Sequence, residues 1–240
     1  MEANRPHAVL KVFLSSSSDV RAERRIVSRT VADLSARYQR QLNIELVDWE
    51  ADFYAANNSF QAQIPNAADS DLVVCVFHRR VGTELNPEEF QRSDGSLYEG
   101  GAVYEFECAF ESRLAKGTPD LFVFRKSAPV LYTEGPGRDE EIRQYDLLQG
   151  FLKRWTESEE GHLIGSFNVF VDADDFRQQF KLFFERWLID WTAERGISLQ
   201  QWDIDVDGSP FVGLAPFTQV HKRVFFGRES EMYRLSLIHI

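Results

Sequence analysis

The chain has 240 residues, 43% of them hydrophobic and 27% charged, with a formal net charge of -11. That is enough apolar chain to bury the core of one ordinary domain with something extra attached. The acidic balance argues against nucleic acid and anionic membranes as partners, because non-specific phosphate binding needs a basic face.

No apolar run approaches the ~20 residues that span a bilayer. Residues 1–7 (MEANRPH) lack the apolar core of a signal peptide, so the expected setting is cytoplasmic. Cys75 sits in an apolar run and Cys108 in a helical pattern, and both read as buried thiols rather than a disulfide. No Cys/His cluster has metal-ligand spacing, so no structural metal is expected.

Residues 9–14 (VLKVFL) predict a first buried strand, which runs into four serines, Ser15 to Ser18, and Asp19. Val20, Val27, Val31, Leu34 and Tyr38 then recur at helical spacing. Residues 44–49 (IELVDW) and 71–77 (DLVVCVF) predict the second and third strands, and residues 57–65 between them suit either helix or loop. Residues 79–101 are polar and rich in turn formers, and a loop this long inside a compact domain is usually functional or mobile.

Val103, Phe106, Phe110 and Leu114 mark the next helix, and residues 120–125 (DLFVFR) the fourth strand. A helix through Ile142, Leu148, Phe151 and Trp155 precedes a fifth strand at 167–172 (FNVFVD), and an aromatic-rich helix from Phe176 to Trp191 follows it. Residues 196–210 read as a polar connector, and an ordered pattern resumes at 211–235. Strands that are apolar on both faces and alternate with helices predict an α/β three-layer fold, about five mostly parallel strands with helices on both sides.

The serines follow a strand and open a helix. Ser18 or Asp19 is expected to cap that helix by accepting an orphan N–H, worth ~1 kcal/mol. The same geometry, hydroxyls and free amides beside a helix N-terminus, can also hold a phosphate or a ribose. There is no P-loop glycine pattern and no Gly-x-Ser-x-Gly elbow. Glu23, Arg24 and Arg25 read as a solvated face with local ion pairs, although Arg24 lies about a turn from the serines and can lean toward them.

On the second helix, Ala102, Val103, Phe106, Ala109, Phe110 and Leu114 form one apolar stripe. Glu105 and Glu107 border it on opposite sides, roughly 200° apart on the wheel, so only one of them can face a given pocket. Both also suit a surface position. His7, His78, His162, His221 and His239 have no partner at a telling spacing.

Three stretches together resemble a bacterial TIR-like domain: residues 11–27 (KVFLSSSSDVRAERRIV), residues 77–82 (FHRRVG) and residues 104–126 (YEFECAFESRLAKGTPDLFVFRK). The resemblance runs from about residue 9 to 195 and implies a TIR/flavodoxin-like fold. Residues 210–232 (PFVGLAPFTQVHKRVFFGRESEM) look like the entry to a STAND-class NTPase module, as found in NLR-like proteins. The implied organisation is a TIR-like domain at 1–195, a linker at 196–210 and the truncated start of an NTPase module at 211–240. The ATP site and the means of self-association would lie in the missing module.

TIR domains include enzymes that cleave NAD at the ribose–nicotinamide bond, so the resemblance implies NAD as substrate in a defence or signalling protein. It implies Glu105 as the catalytic carboxylate, because Ala102, Phe106, Ala109 and Phe110 supply the small or apolar residues of the family frame. Gly101 stands where the family carries an aromatic residue. Glu107 is the runner-up. Phe13, Ser15 and Ser16 would line the ribose, and Arg80 and Gly82 would belong to a loop over the nicotinamide. A noncatalytic self-association domain and a nucleoside N-glycosidic transferase are the alternatives.

Overall fold

The computed structural model describes residues 8–48, 64–132, 134–156 and 167–199. The expected NTPase entry, most of the linker and most of the undecided 57–65 segment lie outside the described residues. The chain divides into two compact units, Met1–Trp187 and Leu188–Ile240.

The first unit holds five parallel strands: β1 (Ala8–Ser16), β2 (Leu42–Val47), β3 (Leu72–Phe77), β4 (Asp120–Lys126) and β5 (Asn168–Phe170). Their order is β2-β1-β3-β4-β5, the doubly wound flavodoxin-like arrangement. Helix α1 (Arg21–Tyr38) joins β1 to β2, α2 (Gly101–Lys116) joins β3 to β4, and α3 (Arg138–Thr156) joins β4 to β5. Helix α4 (Ala173–Glu194) follows β5. β3 is buried at every residue, as a central strand covered on both faces must be.

One face of the sheet carries Phe13, Val73, Cys75, Phe77 and Val123 against Val103, Phe106 and Ala109 of α2 and Leu148, Phe151 and Leu152 of α3. Phe106 is its aromatic centre, with ring centroids 5.3 Å from Phe151, 4.6 Å from Trp155 and 6.1 Å from Phe110. The opposite face buries Leu10, Val12 and Leu14 of β1 and the apolar stripe Val27, Val31 and Leu34 of α1. There Phe176, Phe180, Phe184 and Trp187 stack along α4 at three- and four-residue spacing, and Phe124 of β4 meets Phe176 at 5.0 Å. The Trp187 indole donates to Asp120 Oδ2 at 2.6 Å.

The described residues of the second unit are the last turns of α4 and residues 195–199. Thr192 Oγ1 donates back to the Leu188 carbonyl (2.8 Å), and the Arg195 guanidinium lies 4.0 Å from the Trp191 ring centroid. Ile197 N–H returns to the Thr192 carbonyl at 2.9 Å and closes the helix end.

The long segment between β3 and α2 is not a loose loop. It folds on itself through Arg92 N–H to Ser96 O and Gly95 N–H to Arg92 O, both 2.9 Å, with an antiparallel bridge between Gln91 and Leu97. Its first residues seal the start of α2. Ala102 N–H donates to Val81 O (3.1 Å) and Gly101 N–H to Thr83 O (2.9 Å). The approach is close enough to require glycine on both sides. A Cβ at Gly100 would lie 2.5 Å from Val81 O, and one at Gly82, where φ is +96°, would lie 2.9 Å from Ala102 N.

Candidate functional site

In a doubly wound sheet the connections from β1 and β3 leave in opposite directions, which opens a crevice at their carboxyl ends. Ser15 and Ser16 are the last residues of β1, paired in register with Cys75 and Val76 of β3. The serines are therefore part strand and part turn, and Ser15, Ser16 and Ser17 are all buried.

Strand alternation separates them. Ser15 shares the α2 side with Phe13, and its hydroxyl reaches the Ala102 carbonyl at 3.5 Å and the Cys75 thiol. Ser16 falls on the other face, where its Oγ is buried with no hydrogen-bond partner among the described residues. Phe13 is fully buried and has no exposed surface to offer a ribose.

Glu105 is 5% exposed, which removes the surface-acid reading for it. Burial pushes the Cys75 thiol far above its ordinary pKa, the Glu105 carboxylate pushes it the same way, and the Ser15 hydrogen bond opposes both. Cys75 is a neutral thiol in this environment and no thiolate nucleophile. Glu105, Ser15 and Cys75 thus form one buried polar cluster on the α2 side of the sheet, near the close approach of the Gly82 turn to Ala102.

Glu107 is committed elsewhere. Its carboxylate takes two hydrogen bonds from Arg92, Nε to Oε2 at 2.6 Å and Nη2 to Oε1 at 2.7 Å, and a third from Arg154 at 3.1 Å. Both arginines also hold Glu99, at 2.6 and 2.8 Å. This four-residue clamp ties the β3–α2 segment to α2 and α3, and the Arg92 guanidinium also covers the Tyr98 ring at 4.6 Å. Tyr98 is pushed up to about 12, chiefly by burial.

Burial alone would raise the Glu99 carboxyl, but hydrogen bonds from Arg154 and Arg92 outweigh it and hold the group below the usual range. A depressed folded-state value stabilises the protein above the unfolded value, about 4.3, and that stability is lost as the pH falls through the folded value. The stability difference between the wild-type chain and Arg92→Ala, measured by urea unfolding, is therefore expected to shrink as the pH is lowered below about 4.3. A constant difference would show that the clamp holds no charge-dependent stability.

The turns that follow β1 and β3 are stitched together. Ser17 and Asp19 hydrogen-bond each other, and Asp19 Oδ2 also accepts from the Arg79 N–H at 3.0 Å. Ser17 Oγ lies 3.4 Å from the Arg80 carbonyl. Arg80 thus enters the site through its backbone, and its side chain is half-buried. The expected helix cap is absent. The chain enters α1 through a single 3-10 turn, Ser18–Val20, with no side-chain cap, because Asp19 is turned toward the β3 end instead. His78 Nδ1 is 3.7 Å from the same carboxylate, and its Nε2 is 3.3 Å from Ala128 O.

Arg25 is exposed as expected, but Glu23 and Arg24 are buried and functional in the fold. Arg24 Nη2 donates to Ser16 O at 3.0 Å, with Ser17 O at 3.5 Å, and its Nη1 lies 3.6 Å from Asp48 Oδ1. Glu23 takes Lys126 Nζ at 2.8 Å.

Sequence spacing did not reveal the partners of Cys75, Asp19, Arg92 or Lys126. Each acts across 15 to 103 residues of chain, on the register of parallel strands or on a loop fold that leaves no periodic trace. Among the described residues no helix is long and apolar enough to cross a membrane, and no group of three or more His, Cys, Asp or Glu side chains is placed to hold a metal ion. Both cysteines are free, Cys75 buried and Cys108 partly so. No protein-family model, curated protein or solved structure matches the chain.

Proposed function

We propose that the domain is a TIR-like effector that hydrolyses NAD at the ribose–nicotinamide bond when a full-length STAND-class protein assembles. The observation that carries this reading is the buried Glu105 beside Ser15 and Cys75 at the switch point of a doubly wound sheet. The residue-level resemblance of the serine, Arg-Val-Gly and glutamate stretches supports it.

Cleavage breaks the bond between ribose C1′ and the nicotinamide nitrogen. The cationic ring takes the bonding pair and leaves neutral, and water adds to C1′ with loss of a proton. Little acid catalysis is needed, and the demand falls on stabilising positive charge at the ribose. A carboxylate at Glu105, held by a rigid helix in a site shielded from water, suits that demand. Ser15, on the same side of the sheet, supplies a hydroxyl for orienting a ribose. Phe13 acts by positioning the end of β1, and the turn of Arg80 and Gly82 borders the nicotinamide end.

The chain should be held at high local concentration and NAD loss followed. Glu105→Gln is expected to lower turnover by two to three decades, about 3–4 kcal/mol. NAD left intact by the wild-type chain, or equal turnover by the variant, overturns the reading. A second reading, noncatalytic self-association, is favoured by Val169 and Val171 at the edge strand and Leu182 on α4, which are 54, 60 and 66% exposed. Concentration-dependent association that survives Glu105→Gln, without NAD loss, would select it.

A further inference from the structure

A groove of about 440 Å³ runs between α1 and the Ala173–Glu185 part of α4. Its charge is the reverse of the whole chain's. Five cations line it, Arg25, Arg29, Arg37, Arg177 and Lys181, against two carboxylates, Asp33 and Glu185. In a protein of net charge -11 this is a local inversion.

The cations are unevenly compensated. Arg37 pairs with Glu185 at 3.5 Å and closes one end of the groove. Asp33 is placed one turn from both Arg29 and Arg37. Arg177 pairs with Asp174. Arg25 has only Arg21 and Arg29 at four-residue spacing, a like-charge arrangement that opposes the helix. The end bounded by Ala22 and Ala173 thus holds Arg25, Arg29 and the Asp174-paired Arg177 beside small side chains. The aspartates at the start of α4 do not line it. Asp172 caps that helix, Asp174 pairs with Arg177, and Asp175 accepts from Val171 N–H and Gln179.

We propose that this groove binds a small multivalent phosphate anion, the di- or triphosphate of a nucleotide or an inorganic polyphosphate. Guanidinium groups on facing walls match phosphate oxygens geometrically and electrostatically. Thr30 adds a hydroxyl to the lining. A two-fold dimer through this face would set each cluster of cations against its copy, which disfavours that occupant. The concavity and volume suit a small molecule rather than a duplex. The site is separate from the Glu105 crevice and does not depend on NAD chemistry.

The test is calorimetric titration of the 240-residue chain with inorganic tripolyphosphate and, separately, with ATP, at low and at near-physiological salt. Binding of either is expected, weakened by salt, and weakened about tenfold or more by the double reversal Arg25→Glu/Arg29→Glu. Both residues carry exposed side chains, and circular dichroism checks that the variant is folded. ATP well above tripolyphosphate assigns a nucleotide, and equal affinity assigns the phosphate chain alone. No binding, binding indifferent to the double reversal, tighter binding of duplex DNA, or self-association through this face without anion binding overturns the proposal.

Discussion

Lys126→Ala is expected to lower the unfolding free energy by about 3 kcal/mol, the lower end of the range for breaking a buried ion pair. Glu23 is 1% exposed and receives Lys126 Nζ at 2.8 Å, while the lysine end is partly open to water. Removing the amine leaves a carboxylate inside the protein with its desolvation uncompensated. The pair also ties the first turn of α1 to the end of β4, so its loss loosens two elements at once. Glu23→Gln/Lys126→Met is expected to recover most of the loss, because the penalty comes from the orphaned charge and not from the missing attraction. Urea unfolding of the two singles and the double measures the coupling. A loss under about 1 kcal/mol for Lys126→Ala would mean that Glu23 finds water.

Phe106→Ala is the second large effect, with an expected loss of about 3–5 kcal/mol. Its ring is 1% exposed and is surrounded by Phe110, Phe151 and Trp155. Those three belong to two helices, so the cavity cannot close without moving one of them toward the sheet. Phe106→Leu should lose much less, since it keeps most of the volume and forfeits only the ring geometry. Thermal unfolding of both variants separates volume from aromatic contact, and equal losses would contradict the cavity argument. Phe106 adjoins Glu105 on the helix, so the leucine variant also reports how far the carboxylate depends on the packing beneath it.

The fold was legible because a parallel sheet writes itself into short apolar runs. DLVVCVF, apolar on both faces, could only be an inner strand, and β3 is buried at every residue. The helical stripes were equally plain, down to the aromatic spacing of α4. The choice between the two glutamates was half legible. The wheel angle showed that they part company, and the structure supplies what lies on each side, a buried serine and thiol for Glu105 and two arginines for Glu107. Arg92 was invisible in sequence because nothing in its loop is periodic.

The role of Asp19 was read as a cap because local hydrogen bonding is the usual fate of an aspartate after serines. A competing donor, the Arg79 N–H 60 residues away, takes the Asp19 carboxylate instead. Glu23 is buried rather than solvated for a related reason, while Arg24 leans onto the serine turn as its spacing allows. Charged residues next to each other look solvated, yet Glu23 meets Lys126 of β4 and Arg24 meets the Ser16 carbonyl of β1.

The segment between β3 and α2 has one further consequence, in the clock of amide exchange. Irregular loops ordinarily trade their amide hydrogens with water quickly, since nothing holds them. Here the amides of Glu89, Phe90, Arg92 and Gly95 are all engaged within the segment, Arg92 anchors it to α2 through Glu107, and Glu99 takes Arg154 of α3. These hydrogens are expected to persist until the guanidinium clamp lets go, and to be released together with those of Gly101 and Ala102. In deuterium labelling, a stretch with almost no secondary structure would then behave as the opening turn of the helix that carries Glu105.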